Sequence, residues 1–292
     1  MIYLLLLLAV GALFAVEALT NAVRHGEADR LKIVLTEENG YIRVCFFNNG
    51  KNRLMGYVWN ETGTHGLVIL AHGMGTSVAY HLPEVRHFAD KGYRVFAFEY
   101  SGYGKSTGRF RGFPQSVSDL RCAIAQADDG TLPVILVGHS MGGYAVCAAA
   151  QGLDRPIGGI IAYAPFCSSA EAIMEMTHGM QKLGWLLRLL ILPVQRMLFG
   201  ARARLNGVDG LLAAKTPSLI LQGSRDVEVT CTGCSLSAHR RELSGSGVMF
   251  RLIGQEDSCE HMTIIRKKGA QSVNEDTIEI VDAFLAAVPT KR

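Results

Sequence analysis

Ser140 lies in the pentapeptide Gly138-His139-Ser140-Met141-Gly142, between the β-branched run Val134 to Val137 and the small-residue stretch GGYAVCAA. A strand that turns directly into a helix exposes the residue at the joint and forces unusual backbone angles with close neighbours, and flanking glycines relieve that crowding. The helix that follows points unpaired N–H groups and its positive dipole end back at the hydroxyl, which favours an anion forming there. An exposed hydroxyl beside a site for developing negative charge is the equipment for acyl transfer. The hydroxyl is a weak nucleophile by itself, so a base, oriented in turn by an acid, has to be supplied from elsewhere in the chain.

The elements that would position these groups follow from hydropathy rhythm. LKIVLTEENGYIRVCFFNNGKNRLMGYVWN alternates short β-like runs with Asn-Gly and Asn-Asn-Gly turns, the pattern of antiparallel hairpins. The rhythm then changes to GLVILAH, YRVFAFEY, LPVILVGH, GGIIAYAP and PSLILQG, with helix-compatible stretches between most of them. Near-continuous apolar runs of this kind suit parallel strands buried on both faces. The fold class expected is α/β: a mostly parallel, doubly wound sheet with antiparallel strands at its N-terminal edge. Between Phe166 and Thr216 the strand rhythm stops, and EAIMEMTHGMQKLGWLLRLLILPVQRMLFG reads as two or three helices. The expected organisation is a core of residues 31–165 and 217–292, with residues 166–216 inserted as a helical cap.

The elbow in this setting resembles the α/β-hydrolase fold family, whose chain order is nucleophile, acid, histidine. By that resemblance Ser140 is the nucleophile. Asp226, in the Gly-x-x-Asp turn after the strand around Leu219 to Leu221, is the acid, and His261, in the loop GQEDSCEHM before the last helix, is the base. Glu256 and Asp257 are rivals for the acid role. The turn His72-Gly73-Met74-Gly75 is similar to the family's H-G-x-G, which implies oxyanion donors at the N–H groups of Met74 and Met141; its other reading is a purely structural glycine loop. EYSGYGKSTG is similar to the D-x-R-G-x-G-x-S segment of the same family, with Glu99 and Ser101 departing from it, and reads as loop architecture. The resemblance runs from about Gly56 to Val288 and implies a serine hydrolase that needs no metal and no organic cofactor.

The substrate class is less specified. Met174, Met176, Met180, Trp185, Leu186, Leu189, Leu190, Met197 and Phe199 suit a flexible apolar pocket over Ser140, and equally suit packing of the cap onto the body. Capped enzymes of this kind resemble monoacylglycerol lipases and esterases, which implies a small-molecule ester or lipid substrate. A serine aminopeptidase or amidase is the second reading, with Glu171 and Glu175 as candidates to receive a substrate amine. A catalytically silent binding module of the same fold is the third.

Composition narrows the rest. A net charge of +3 over 292 residues, without a basic patch, gives no footprint for nucleic acid. Seven scattered cysteines form no disulfide framework, and Cys231-x-x-Cys234 lacks the second pair a structural zinc site requires. The N-terminal run MIYLLLLLAVGALFAVEALTNAVRHG bears no charged side chain before Glu17. Residues 1–23 are therefore expected to form a single-pass membrane anchor, or else a cleaved signal that leaves a secreted or periplasmic enzyme. Oligomeric state is not legible.

Overall fold

The computed structural model describes residues 40–178, 181–268, 270 and 272–288, together with Leu35 and Glu38. Eight strands form one sheet in the order β1-β2-β4-β3-β5-β6-β7-β8. The strands are β1 (Arg43–Asn49), β2 (Asn52–Trp59), β3 (Leu67–Ala71), β4 (Arg94–Glu99), β5 (Val134–His139), β6 (Gly159–Tyr163), β7 (Ser218–Gly223) and β8 (Val248–Ile253). β2 pairs antiparallel with both β1 and β4, and every other pairing is parallel. The Asn-Asn-Gly signal is realised as a two-residue hairpin turn, Gly50–Lys51, with Gly50 at φ 58°.

Helices cover both faces. Among the described residues these are α1 (Leu82–Asp90), α2 (Phe113–Ala127), α3 (Met141–Ala149), α4 (Ser169–Met176), α5 (Gln181–Phe199), α6 (Gly207–Ala214) and α7 (Glu275–Ala287). The period-2 pleat divides the strand residues between two cores. Ile69, Leu136, Ile160 and Ile220 pack with α2, α3 and α6, while Val68, Val137, Ile161 and Leu219 pack with α1 and α7. That double burial is why the strands read as continuous apolar runs.

The chain leaves β3 for β4 on one side and enters β5 on the other, so the sheet's switch point lies between β3 and β5. Crevices outside the carboxyl ends of strands at such a point are where ligands bind in open α/β sheets. Ala71 and Gly138 are paired at those ends, so the segments leaving both strands, His72-Gly73-Met74 and His139-Ser140-Met141, emerge side by side.

Between β6 and β7 lie α4, α5, a 3₁₀ turn (Gly200–Arg204) and α6. α6 is seated on α3, where Gly210 comes so close that a Cβ on it would stand 2.0 Å from the Cys147 carbonyl oxygen. α5 runs through Pro193 to Phe199 without a break. The expectation of a single-pass anchor does not stand: among the described residues no helix is long and apolar enough to cross a membrane. The longest, α5, has 19 residues and carries Lys182, Arg188 and Arg196. The 1–23 segment itself, on which both the anchor and the signal reading fell, lies outside the described residues.

Candidate active site

The sequence G-x-S-x-G folds into a strained elbow. Ser140 has φ 53° and ψ −115°, a conformation side-chain-bearing residues rarely hold unless their surroundings impose it. The surroundings are backbone. A Cβ on Gly142 would stand 2.0 Å from the Ala71 carbonyl oxygen, and one on Gly138 would stand 2.3 Å from that of Gly142. The elbow therefore closes only with hydrogen at both positions. It is tied to the neighbouring strand by Ser140 N–H donating to the Tyr163 carbonyl at 2.8 Å.

His261 and Asp226 converge from loops after β8 and β7. His261 Nδ1 lies 2.8 Å from Asp226 Oδ2, and both side chains are almost fully buried. With a carboxylate facing Nδ1, the ring proton belongs there, which leaves Nε2 as the acceptor. Asp226 is held by three further donors. Its Oδ1 accepts the backbone N–H groups of Glu228 at 2.9 Å and Val229 at 2.8 Å, and its Oδ2 accepts Gln222 Nε2 at 3.0 Å. Gln222, on β7 and buried, is itself oriented by Ser235 Oγ donating to its Oε1 at 2.7 Å. The rivals are elsewhere: Asp257 is exposed, and Glu256 is an exposed partner of Arg225.

His139, the variable residue before Ser140, is buried beneath His261, with ring centroids 4.9 Å apart. Its Nε2 donates to the His261 carbonyl at 3.0 Å, so the elbow itself fixes the loop that carries His261. Burial, reinforced by the neighbouring imidazole, pushes its pKa down to about 3, and the ring is neutral.

Ser140, His261, Met74 and Met141 open together into a cleft of about 460 Å³, walled further by Phe113, Phe166, Ala172, Met176, Val227 and Val229, with Glu175 and Glu228 as its carboxylates. The N–H groups of Met74 and Met141 donate to no acceptor among the described residues, which leaves both available to an oxyanion. Gly73 supports this turn at close range, since a Cβ there would lie 3.1 Å from His139 Nδ1. Gly75 takes the turn's positive φ, 73°. The family-like EYSGYGKSTG loop packs beside it: Glu99 Oε1 accepts the Val78 N–H at 3.1 Å, and Asp119 holds both the N–H and the hydroxyl of Ser101.

The cap residues divide differently from the sequence expectation. Of the apolar set, Met176 lines the cleft, whereas Met174, Trp185, Leu189 and Met197 face solvent. Met180 lies outside the described residues. Phe113 and Phe166, from α2 and the loop after β6, supply wall that helical periodicity had no means of signalling. Glu175 enters the cleft, its carboxylate accepting Thr230 Oγ1 at 2.6 Å and the Cys234 N–H at 3.2 Å, while Glu171 faces a separate cavity. Arg188 caps the end of α4, donating to Thr177 Oγ1 and to the Met174 carbonyl, both at 2.9 Å.

Comparison with known proteins finds relatives over part of the chain and similar folds over most of it. The family model described as "Serine aminopeptidase, S33" matches residues 62–204, a span that includes the elbow and the Met74 turn and ends before Asp226 and His261. A monoacylglycerol lipase of Mycolicibacterium smegmatis is 36% identical over 109 residues, 35% of this chain and 39% of the relative. The chain spans about two fifths of the length of the curated relatives it matches. Among solved structures, the Pyrococcus furiosus esterase Pf2001 superposes with TM-score 0.65 at 19% identity, covering 87% of this chain and 95% of that one. An α/β-hydrolase of Vibrio vulnificus gives TM-score 0.66 at 18% identity, covering 93% of each chain. Sheet order, the strained serine turn at the switch point and these likenesses converge on one conclusion: the chain has the α/β-hydrolase fold.

Proposed function

We propose that this chain is a serine hydrolase that cleaves carboxylic esters with apolar acyl groups, lipid-derived esters included, through an acyl-enzyme on Ser140. One observation carries the reading: Ser140, His261 and two backbone N–H donors that engage no acceptor among the described residues share a single cleft whose wall is mostly apolar. Ser140 Oγ adds to the ester carbonyl while His261 Nε2 takes its proton. The carbonyl oxygen becomes an oxyanion facing the N–H groups of Met74 and Met141. Asp226 keeps the imidazole in the required tautomer and stabilises the imidazolium. His261 then returns the proton to the departing alcohol, and water, activated by the same imidazole, releases the acid. α4, within the inserted span 166–216, covers one side of this cleft with Ala172, Glu175 and Met176.

A second reading has an observation of its own. Glu175 and Glu228 place carboxylates in the cleft, and Glu228 Oε2 stands 3.9 Å from His261 Nε2, where a substrate ammonium would be received. That would make the enzyme an aminopeptidase. Both oxygens of Glu175 already accept a hydrogen bond, and the Glu228 side chain is 64% exposed, so the ester reading is preferred.

A panel of p-nitrophenyl esters from acetate to palmitate, beside an aminoacyl p-nitroanilide, separates the readings. Ser140-dependent ester turnover that rises with chain length supports the lipid-ester reading. Anilide turnover that collapses in Glu175→Gln, with weak ester cleavage, replaces it by the peptidase. Silence on both refutes the hydrolase.

A further inference from the structure

A second cavity of about 340 Å³, lined by residues other than those of the cleft, has Cys167, Glu171, His239 and Glu242 in its wall. One ligand atom from each of Cys167, Glu171 and His239 lies within 4.8 Å of the other two. Three different elements bring them together: the loop after β6, the first turn of α4, and the end of the 3₁₀ turn Leu236–His239. Cys167 is buried and its backbone is pinned on both sides, its N–H donating to the Cys234 carbonyl at 2.7 Å and its carbonyl accepting the Gly207 N–H at 2.8 Å.

The groups around these atoms are arranged as supports. His239 Nε2 faces Glu171 Oε2 at 2.8 Å, while its Nδ1 faces Glu242 Oε1 at 2.8 Å. Glu171 is oriented in turn by Ser168, whose hydroxyl donates to Oε1 at 2.9 Å while accepting the Glu171 N–H at 3.2 Å. A carboxylate behind the distal nitrogen of an imidazole, and a hydroxyl behind the distal oxygen of a carboxylate, are the partners that orient metal-ligating His and Glu side chains. A sulfur, a nitrogen and an oxygen donor with an open fourth direction match the ligand preferences of zinc.

We propose that Cys167 Sγ, Glu171 Oε2 and His239 Nε2 bind one Zn²⁺, with a water from the adjoining cavity as fourth ligand. Tetrahedral coordination at the usual zinc–ligand lengths needs donor atoms roughly 3.3–3.6 Å apart, which small side-chain rotations supply from the present spacing. Binding releases the thiol proton and the Nε2 proton to solvent, leaving a thiolate, a carboxylate and a neutral imidazole whose Nδ1–H donates to Glu242. The ion staples the first turn of α4 to the segment that follows β7. It is distinct from the Ser140 cleft, and the proposal stands whether or not Ser140 is a nucleophile.

The test is titration of the reduced full-length protein with Co²⁺ as a spectroscopic substitute. The expected result is one equivalent bound, with a thiolate-to-cobalt charge-transfer band and intense tetrahedral visible bands, displaced by Zn²⁺. Both features vanish in Cys167→Ser and in His239→Gln and persist in Cys231→Ser. Glu242→Gln keeps the band and binds about 10- to 100-fold more weakly. If Cys167→Ser does not fold, His239→Gln decides, since that side chain is 24% exposed and its loss leaves no buried gap. A missing band, or one that survives in His239→Gln or disappears in Cys231→Ser, overturns the site. Fluorophosphonate labelling of the same samples reports Ser140 independently, so failure of one reading is not confused with failure of the other.

Discussion

Replacing Asp226 by Asn keeps the size of the side chain and inverts the hydrogen-bonding character of one of its two ends. Asp226 accepts four N–H donors, two on each oxygen: His261 Nδ1 and Gln222 Nε2 on Oδ2, and the amides of Glu228 and Val229 on Oδ1. Asn has only one acceptor. If its amide nitrogen takes the Oδ1 position, two backbone donors face a donor. In the Oδ2 position it faces His261 and Gln222, and the imidazole is driven to the tautomer whose Nε2 carries the proton and cannot accept the Ser140 proton. Each hydrogen bond to a charged group contributes about 1.5–3 kcal/mol, so either arrangement forfeits about 3–6 kcal/mol. At 1.36 kcal/mol per decade, expression of that loss in the transition state lowers kcat about 10²- to 10⁴-fold. The assay is kcat and kcat/KM on a p-nitrophenyl ester, with urea denaturation of the same variant to separate lost chemistry from lost fold. A folded Asp226→Asn enzyme within tenfold of the parent would refute the reasoning, as would a comparable fall in Asp257→Asn.

Other consequences are open to measurement. Glu84 is fully buried, and burial raises its pKa from 4.5 to about 7. Because the folded value is raised, its stabilising effect is complete below pH 4.5 and is lost as pH rises towards 7, by about 3 kcal/mol in all. Relative to the parent, Glu84→Gln should gain about 2–3 kcal/mol of stability between pH 5 and pH 8 in urea titrations, and a difference independent of pH would contradict this. His139 acts in the opposite direction, since its folded pKa of about 3 lies below the ordinary 6.5 and its contribution is lost as pH falls through that window. Ser140→Gly removes the side chain that makes φ 53° costly, so it should be inactive yet more stable than Ser140→Ala by about 1 kcal/mol or more; equal stability would show the elbow unstrained. Gly142→Ala should cost at least about 3 kcal/mol or prevent folding, because no rotamer can move a Cβ away from the Ala71 carbonyl; a mild effect by thermal denaturation would mean the elbow can open.

What could be read from residues alone follows a physical divide. The elbow was legible because its glycines answer a local demand, the clash with Ala71 and Gly142 carbonyls, which leaves its mark in adjacent positions. The parallel sheet was legible because strands buried on both faces are apolar throughout. Chain order after the last two strands pointed to Asp226 and His261, which the fold brings within 2.8 Å of each other. Gln222 was not legible, because a buried amide four residues before Asp226 carries no pattern; only the strand geometry turns it towards Oδ2. The cap misled for a related reason. An apolar helix face states that it is covered or covering, without stating by what, and the chain spends Met176 on the cleft while leaving Trp185 and Met197 outward. Glu171 and Glu175 share a helix face by spacing, yet they line two different cavities. The cysteine reading followed the pair adjacent in sequence, whereas the cluster that forms is built on Cys167, whose partners come from residues 171 and 239.

The most direct test of a nucleophile at the elbow is to label the full-length protein with a fluorophosphonate and locate the adduct by tandem mass spectrometry. The expected result is a single stoichiometric modification on Ser140, abolished in Ser140→Ala and slowed strongly in His261→Ala. An adduct on any other serine, or a protein that stays unlabelled while folded, would contradict the assignment of Ser140 as the nucleophile.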